Sequence, residues 1–397
     1  VSKMYQRKYL DELIKRSLGK RKFIQIILGP RQVGKTTIAE QFAEQLSVPY
    51  QFVSADAVPA SNDFWIDQQW EAVRLKMKTN NYSEYFLMID EIQKIQNWSE
   101  VVKKNWDQDS RNKVGIKLIL LGSSNISIQK GLTESLTGRF ETIVLPHWSL
   151  TEMNSGFGFT PEEYVYFGGY PGSAALVKDE KRWKSYIRNS IIETIISKDV
   201  LQLTQIQKPA LLKNLFELSC KYSGEILSYT KMLGQLQDAG NTTTLAHYQD
   251  LLDRSWMIAG LQKYSGSQVL SKASIPKWIA YNSALISAYS GNTFKSEKND
   301  MQLWGRRVEQ AVGSHLLNWA RANENGMYYW REGNDEVDFI LTKGKKIIGL
   351  EIKLGKASYH KGIEHFNKKY KPYNNLLISS ETLTWQEFLT LDLDALW

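Results

Sequence analysis

The sequence predicts an α/β protein with a mostly parallel sheet in its first 150 residues. Apolar runs typical of buried strands alternate there with segments of helical periodicity. Strand–helix–strand order gives parallel neighbours in one sheet, and about five strands are expected. A glycine-rich turn at residues 29–36 stands between the first of these strands and the helix that follows it. The chain of 397 residues exceeds one typical domain, so we expect about two to three domains.

The glycine-rich turn spells G-x-x-x-x-G-K-T, the loop that wraps the phosphates of a nucleoside triphosphate. Backbone N–H groups and the start of the next helix favour an anion there. Lys35 is suited to reach the β- and γ-phosphates, and the Thr36 hydroxyl is suited to ligate Mg²⁺. We therefore expect ATP and Mg²⁺ as ligands; the alternative is a turn that binds nothing. The predicted nucleotide-binding residues are Gly29, Pro30, Arg31, Gln32, Val33, Gly34, Lys35, Thr36 and Thr37.

Two acids end the third predicted strand, which runs from Tyr85 to Glu91. In this position Asp90 is expected to hold Mg²⁺, usually through water, and Glu91 to orient and deprotonate the attacking water. The alternative is a buried strand that ends in acids without a catalytic role. Together with Lys35, these residues predict hydrolysis as well as nucleotide binding.

Three more residues are candidates for the same reaction. The strand beginning at Gly115 ends in Ser123, Ser124 and Asn125. Ser124 and Asn125 are candidates to contact the attacking water or the γ-phosphate, and a turn or helix cap is the alternative. Arg139 follows a glycine and is a candidate arginine finger, acting on its own site or on that of a neighbouring subunit. A surface or salt-bridged arginine is the alternative.

These motifs resemble those of the bacterial and archaeal AAA-type ATPases that carry a C-terminal domain of unknown function. The resemblance covers nearly the whole chain and implies an ATPase followed by a nuclease-like fold, without a defined biological substrate. The runs that carry it are Ile27 to Thr37, Leu87 to Gln93, Leu121 to Ser124, Leu136 to Arg139, Phe167 to Pro171, Ile192 to Thr194, and Asp199. The related family usually has aspartate where Asn282 stands, and no role is assigned to Asn282.

The rest of the chain predicts three further segments. Residues 151–205 read as a helical extension of the ATPase domain at 1–150. Residues 206–270 have the helix, helix, turn, helix and strand order of a winged helix. The third of these helices offers few basic residues, which favours a structural or protein-contact role over DNA binding. Residues 271–397 complete the chain.

The C-terminal segment predicts a restriction-endonuclease-like fold: a helix followed by three strands, with an acid on the second strand and Glu-x-Lys on the third. Asp338 on the second strand and Glu351 on the third are suited to hold a second Mg²⁺. Lys353 is suited to activate water or steady a phosphate, and Glu309 on the helix approaches the same point. A solvated cluster of salt bridges is the alternative, since such folds often persist without activity.

Composition limits the partners. The net charge of +8 is spread without a dense basic block, which gives little support to DNA as a partner. A single cysteine, the lack of a long apolar run and a polar start predict a cytoplasmic protein without a membrane partner. A protein partner and the oligomeric state stay open.

We therefore predict an ATPase that uses nucleotide binding and hydrolysis to switch or reposition its C-terminal modules. The sequence is also compatible with two alternative functions. One is a DNA-processing nuclease regulated by ATP, and the other is a nucleotide-dependent protein-interaction module with negligible turnover.

Overall fold

The strands predicted around the glycine-rich turn form one parallel sheet. A computed structural model of the chain describes residues 5–123, 128, 132, 135–201, 206–236, 240–266, 274–355 and 361–397. The chain divides into two compact units, Val1–Leu145 and Pro146–Trp397. We call them the N-terminal unit and the C-terminal unit. The finer division into four segments stays a prediction.

The sheet of the N-terminal unit has five strands in the order β2-β3-β4-β1-β5, and all neighbours are parallel. The predicted α/β class with a parallel sheet is confirmed. The described elements are α1 (Tyr9–Ser17), β1 (Ile24–Leu28), α2 (Lys35–Ala43), β2 (Tyr50–Ser54), α3 (Phe64–Asn80), β3 (Tyr85–Asp90), α4 (Trp98–Asn112), β4 (Ile116–Gly122) and β5 (Phe140–Val144).

Burial explains why these runs become central strands. Every residue of β1, β3 and β4 is buried, as expected for a parallel sheet covered on both faces. Trp70 of α3 and Val102 and Trp106 of α4 pack into the same apolar core. Because parallel strands end at one edge, the turn after β1 and the acids after β3 lie on the same side of the sheet.

The C-terminal unit begins with helices and a two-stranded antiparallel sheet. Its first elements are α5 (Leu150–Phe157), α6 (Pro161–Phe167), α7 (Glu180–Tyr186) with π-helical segments Ile187–Ile192 and Ile195–Leu201, α8 (Pro209–Lys221), α9 (Tyr229–Leu233), α10 (Thr242–Arg254), β6 (Ile258–Leu261) and β7 (Lys277–Ala280). On α10, Arg254 pairs with Asp250 at 2.9 Å, so its charge is partly neutralised. A winged-helix assignment stays a prediction.

The remainder of the C-terminal unit contains a four-stranded sheet in the order β11-β10-β9-β8. Its strands β8, β9 and β10 are antiparallel neighbours, and β10 and β11 are parallel. The elements are α11 (Ser283–Ser287), α12 (Phe294–Asn299), α13 (Met301–Ala322), β8 (Gly326–Glu332), β9 (Asp335–Lys343), β10 (Lys346–Ile352), α14 (Lys361–Tyr370), β11 (Asn374–Ile378) and α15 (Trp385–Thr390). The helix and three strands occur in the predicted order, and the endonuclease-like assignment stays a prediction.

Asn282 has a structural role that the sequence did not reveal. Its side-chain oxygen accepts hydrogen bonds from Ala284 N and from Gly169 N, both at 3.1 Å. Its amide lies 3.2 Å from His147 Nδ1. The residue therefore caps α11 and ties it to the segment around Gly169.

Among the described residues, no helix combines the length and the apolar character that crossing a membrane requires.

Candidate functional site

The phosphate loop joins the end of β1 to the start of α2. Gly34, the residue before α2, has a left-handed backbone with φ of 92°. Lys35 begins the helix and is buried. Its ammonium donates hydrogen bonds to Gly29 O at 3.0 Å and to Pro30 O at 2.7 Å. The loop thus holds the lysine over its own backbone.

Thr36 and Asp90 meet at the carboxyl edge of the sheet. The Thr36 hydroxyl donates a hydrogen bond of 2.8 Å to Asp90 Oδ2, across 54 residues of sequence. Asp90 Oδ1 accepts another bond of 2.8 Å from Glu91 N. Burial raises the pKa of Asp90, and the bond from Thr36 opposes that rise. The two predicted metal ligands are therefore together, with hard oxygen donors of the kind that Mg²⁺ prefers.

Glu91 is held by two side chains. Its backbone is left-handed with φ of 53°, which turns the chain into a short 3₁₀ helix at Ile92–Lys94. Gln93 Nε2 donates to Glu91 Oε2 at 2.7 Å, and the Ser123 hydroxyl donates to the same oxygen at 3.2 Å. Ser124 and Asn125 lie outside the described residues. Ser123, one residue earlier, makes a contact with the predicted base from that strand end.

Gln93 is a site residue that the sequence reasoning missed. It is buried against Gly122, where an added Cβ would lie 2.6 Å from Gln93 Oε1. The same Cβ would lie 1.9 Å from Ile128 Cδ1, so glycine at position 122 leaves room for both side chains. In the sequence, Gln93 stands two residues after Glu91. The two side chains meet only because the left-handed backbone of Glu91 turns the Gln93 amide back toward the Glu91 carboxylate.

The segment before α1 also contacts the phosphate loop. Arg7 is buried, and its Nη1 donates to Val33 O at 3.2 Å. Gln41 of α2 donates to Tyr5 O at 3.2 Å. No sequence pattern indicated this contact, because Arg7 stands 26 residues before Val33. The segment therefore supports the loop from outside the motif.

Arg139 lies at the opposite edge of the sheet from the phosphate loop. Its carbonyl accepts a bond of 2.8 Å from Ile24 N at the start of β1, whereas the loop follows the end of β1. A strand of this length separates the two edges by roughly 16 Å. The predicted role of Arg139 in its own site is therefore wrong. A role toward a neighbouring subunit stays a prediction.

A salt bridge accounts for Arg139. Its guanidinium binds Asp107 through Nε at 2.7 Å and Nη2 at 2.9 Å. These bonds lower the pKa of Asp107. This is the alternative considered for Arg139 from the sequence, a salt-bridged arginine on the unit's surface.

The second predicted metal site stays a prediction, and the structure shows what its side chains contact. Asp338 Oδ2 accepts a bond of 2.9 Å from Ile352 N, and Lys353 Nζ lies 2.8 Å from Glu351 Oε1. Glu309, however, binds the ammonium of Lys277 at 2.9 Å. Within the part of the chain that the structure describes, no group of three or more His, Cys, Asp or Glu side chains is arranged to hold a metal ion.

Glu351 has a strongly perturbed pKa. Burial and the neighbouring Asp338 raise it to about 7, while Lys353 opposes the rise. The Lys353 side chain is 45% exposed, so solvent screens its ammonium and the effect of burial prevails. Glu351 is therefore protonated in the folded chain at mildly acidic pH.

A pH-dependent stability follows from this shift. Because the pKa of Glu351 is higher in the folded chain, its stabilising contribution is present below about pH 4.5 and is lost as the pH rises through about 7. We expect Glu351→Gln to remove this dependence and to stabilise the protein at pH 8, relative to wild type, by roughly 1–2 kcal/mol. Urea unfolding at pH 5.5 and pH 8 measures it.

The matched control is Glu217→Gln on the exposed face of α8, which should not change the pH dependence. A Glu351→Gln variant whose stability follows that of wild type at both pH values would contradict a raised pKa at this carboxyl.

Three family models match successive parts of the chain. Residues 21–154 match the model of an AAA domain. Residues 159–296 match a domain of unknown function, DUF8612, and residues 304–386 match another, DUF4143. The first match supports an AAA-type ATPase domain. The phosphate loop, Asp90 and Glu91 all lie within it.

Several solved structures are similar at low identity. The ORC2 protein of Aeropyrum pernix, in ADPNP and ADP complexes, has 14% identity and a TM-score of 0.38 over 62% of this chain and 79% of its own. A variant of the RuvB protein of Thermotoga maritima has 14% identity and a TM-score of 0.32 over 64% and 89%. The Aeropyrum pernix ORC1 protein in complex with DNA has 15% identity and a TM-score of 0.30 over 73% and 92%.

TM-scores in this range do not transfer an activity or a partner to this chain. No curated protein matches it in sequence at a significant level.

Proposed function

We propose that this chain is a Mg²⁺-dependent ATPase that uses nucleotide binding and hydrolysis to reposition its C-terminal unit. The observation that carries the proposal is the bond of 2.8 Å between the Thr36 hydroxyl and Asp90 Oδ2. It brings the last residue of the phosphate loop to the acid at the end of β3. The match of residues 21–154 to an AAA domain supports the same activity.

Thr36 and Asp90 are the residues that would hold Mg²⁺. When bound, the ion neutralises the charge that builds up on the phosphates. Thr36 is an exposed residue whose hydroxyl bonds Asp90, whereas Asp90 is buried and fixed by Glu91 N. The fixed carboxylate orients the site before the nucleotide arrives.

Lys35 is positioned to bind phosphate. Its ammonium bonds two carbonyls of its own loop, Gly29 O and Pro30 O. Phosphate oxygens are stronger acceptors because they carry charge. We expect the lysine to exchange these carbonyls for the β- and γ-phosphates when the nucleotide binds.

Glu91 is suited to be the general base. Both of its described side-chain bonds go to Oε2, from Gln93 and Ser123. This arrangement leaves Oε1 to accept the proton of an attacking water. Gln93 and Ser123 then act as positioning residues, since both bond the carboxylate of the base.

Leu145 provides a route from the loop to the C-terminal unit. Leu145 N donates a bond of 2.7 Å to Leu28 O, immediately before the phosphate loop. An added Cβ on Gly29 would lie only 2.1 Å from Leu145 O, so the two backbones are in direct contact. Leu145 is the last residue of the N-terminal unit, and Pro146 begins the next. A change in the conformation of the phosphate loop on nucleotide binding would therefore be transmitted through Leu145 to the junction between the two units.

Lys35→Ala tests the nucleotide site. We expect the variant to lose ATP affinity by at least about tenfold and to show no measurable turnover, because the ammonium that neutralises the β- and γ-phosphates is gone. Lys20→Ala is the matched control, an exposed lysine before β1. Binding is measured with a fluorescent ATP analogue and turnover by phosphate release. Turnover equal to wild type in Lys35→Ala would overturn the proposal.

The same preparations test the repositioning. The sole cysteine, Cys220, is buried and burial raises the pKa of its thiol, so new surface cysteines can be labelled selectively. Spin labels at Lys78→Cys and Lys181→Cys, one in each unit, report the distance between the units. We expect this distance to change when a non-hydrolysable ATP analogue binds. An unchanged distance with full ATPase activity would remove the repositioning and leave the ATPase.

A further inference from the structure

A buried lysine occupies the centre of the acids in the C-terminal unit. Lys277, the first residue of β7, is 1% exposed. Its ammonium lies 2.9 Å from Glu309 Oε1, 3.6 Å from Glu336 Oε1 and 3.7 Å from Asp338 Oδ1. We call these three acids the carboxylate cage. Two elements, the helix α13 and the strand β9, thus direct carboxylates at one cation.

The lysine is fixed by its backbone as well as by its charge. β7 pairs antiparallel with β6, with Lys277 opposite Leu261. The ammonium also donates to Asp338 O at 3.3 Å and lies over the Phe339 ring, 4.8 Å from its centre. A side chain with this many partners cannot leave the cage without breaking them. The Lys277 ammonium is therefore held in place by the fold itself.

Electrostatics keeps the lysine charged. Burial alone would lower its pKa, but the surrounding carboxylates outweigh burial and raise it. Glu309 also titrates abnormally, because burial raises its pKa despite the adjacent ammonium. A buried charge is tolerated when it is paired and hydrogen-bonded, as the Lys277 ammonium is here with Glu309.

A divalent cation bound by the carboxylate cage would have to take the position of the Lys277 ammonium. Mg²⁺ and Mn²⁺ need about six oxygen ligands at short range, and carboxylates supply them best. In this chain the carboxylates of the cage already face an ammonium, which repels a second cation and contacts one oxygen of each carboxylate. The residues present therefore do not fit the metal that an endonuclease-like fold would imply.

We propose that Lys277 is a built-in counter-ion that takes the place of a divalent metal in the carboxylate cage. The C-terminal unit then has no metal-dependent cleavage of phosphodiesters at Asp338, Glu351 and Lys353. Replacing Lys277 by a neutral residue should uncover a cation site. The proposal is independent of the ATPase, because every residue that it uses lies within Pro146–Trp397.

Manganese binding tests the proposal on the full chain without nucleotide. Free Mn²⁺ is measured by electron paramagnetic resonance for wild type, Asp338→Asn, Lys277→Arg, Lys277→Met, and Lys277→Met combined with Asp338→Asn. We expect Lys277→Met alone to bind one more Mn²⁺ per chain than wild type. Asp90→Asn is included so that any ion held at the phosphate loop is counted separately.

Two results would overturn the proposal. One is a Mn²⁺ site in wild type that Asp338→Asn removes; the other is folded Lys277→Met that binds no more Mn²⁺ than wild type. If Lys277→Met fails to fold, the wild-type and Asp338→Asn measurements still decide. Incubation of wild type with single- and double-stranded DNA and Mn²⁺ adds a second readout. Cleavage that Asp338→Asn abolishes would contradict the proposal, and no cleavage is expected.

Discussion

Replacing Glu91 by glutamine is expected to leave ATP binding intact and to slow turnover by roughly 10²–10⁴-fold. Glutamine keeps an oxygen that can accept bonds from Gln93 and Ser123, but an amide cannot accept a proton from water. The loss should therefore appear in the chemical step alone. Single-turnover hydrolysis of ATP measures that step, and binding of a fluorescent analogue measures affinity.

The matched control for this variant is Glu84→Gln. Glu84 precedes β3, whereas Glu91 follows it, so the two acids lie at opposite edges of the sheet. Glu84 pairs with Lys117 at 3.0 Å, away from the phosphate loop, and its loss should leave turnover within about twofold of wild type. Hydrolysis at the wild-type rate in Glu91→Gln would exclude Glu91 as the base.

Replacing Lys277 by alanine is expected to destabilise the protein by roughly 3–5 kcal/mol, because removal of one partner leaves buried charge uncompensated. Lys343→Ala is the matched control on β9. Lys343 pairs with Asp394 at 3.1 Å, but both side chains are largely exposed, so its removal should change stability by less than about 1 kcal/mol. Urea unfolding of the full chain measures both variants.

A double variant separates lost charge from lost packing. In Lys277→Met with Glu309→Gln, the carboxylate nearest to the missing ammonium is neutral as well. This variant should be more stable than Lys277→Met alone, because less uncompensated charge is buried. Equal stability of the two would show that the lysine contributes by packing and not as a counter-ion.

The sequence predicted those structural elements that are determined by residues close together in the chain. The apolar runs of β1, β3 and β4 became fully buried strands, and the spacing of the G-x-x-x-x-G-K-T motif placed its turn between strand and helix. The pairing of Thr36 with Asp90 also followed, since parallel strands end at one edge. In each case a short stretch of sequence contains the physical reason for the structure.

The site residues that the sequence did not predict are placed by contacts that a short stretch of sequence does not reveal. Gln93 reaches the site through the backbone turn at Glu91, and Arg7 does so across 26 residues. Lys277 meets Asp338 across 61 residues, from a strand that the charge pattern did not single out. The position of Arg139, in contrast, follows from the order of the strands. It directly precedes a strand parallel to β1, so it had to lie at the edge remote from the phosphate loop.

At Glu91, the backbone conformation that the fold requires is unfavourable for the residue that the proposed chemistry requires. A left-handed conformation costs a residue with a Cβ about 1 kcal/mol or more, and glycine or asparagine adopts it with less strain. A sequence chosen for the fold alone would have one of those residues after β3. Glutamate at this position indicates that the carboxylate is retained at the expense of the turn, as is common where strain accompanies function.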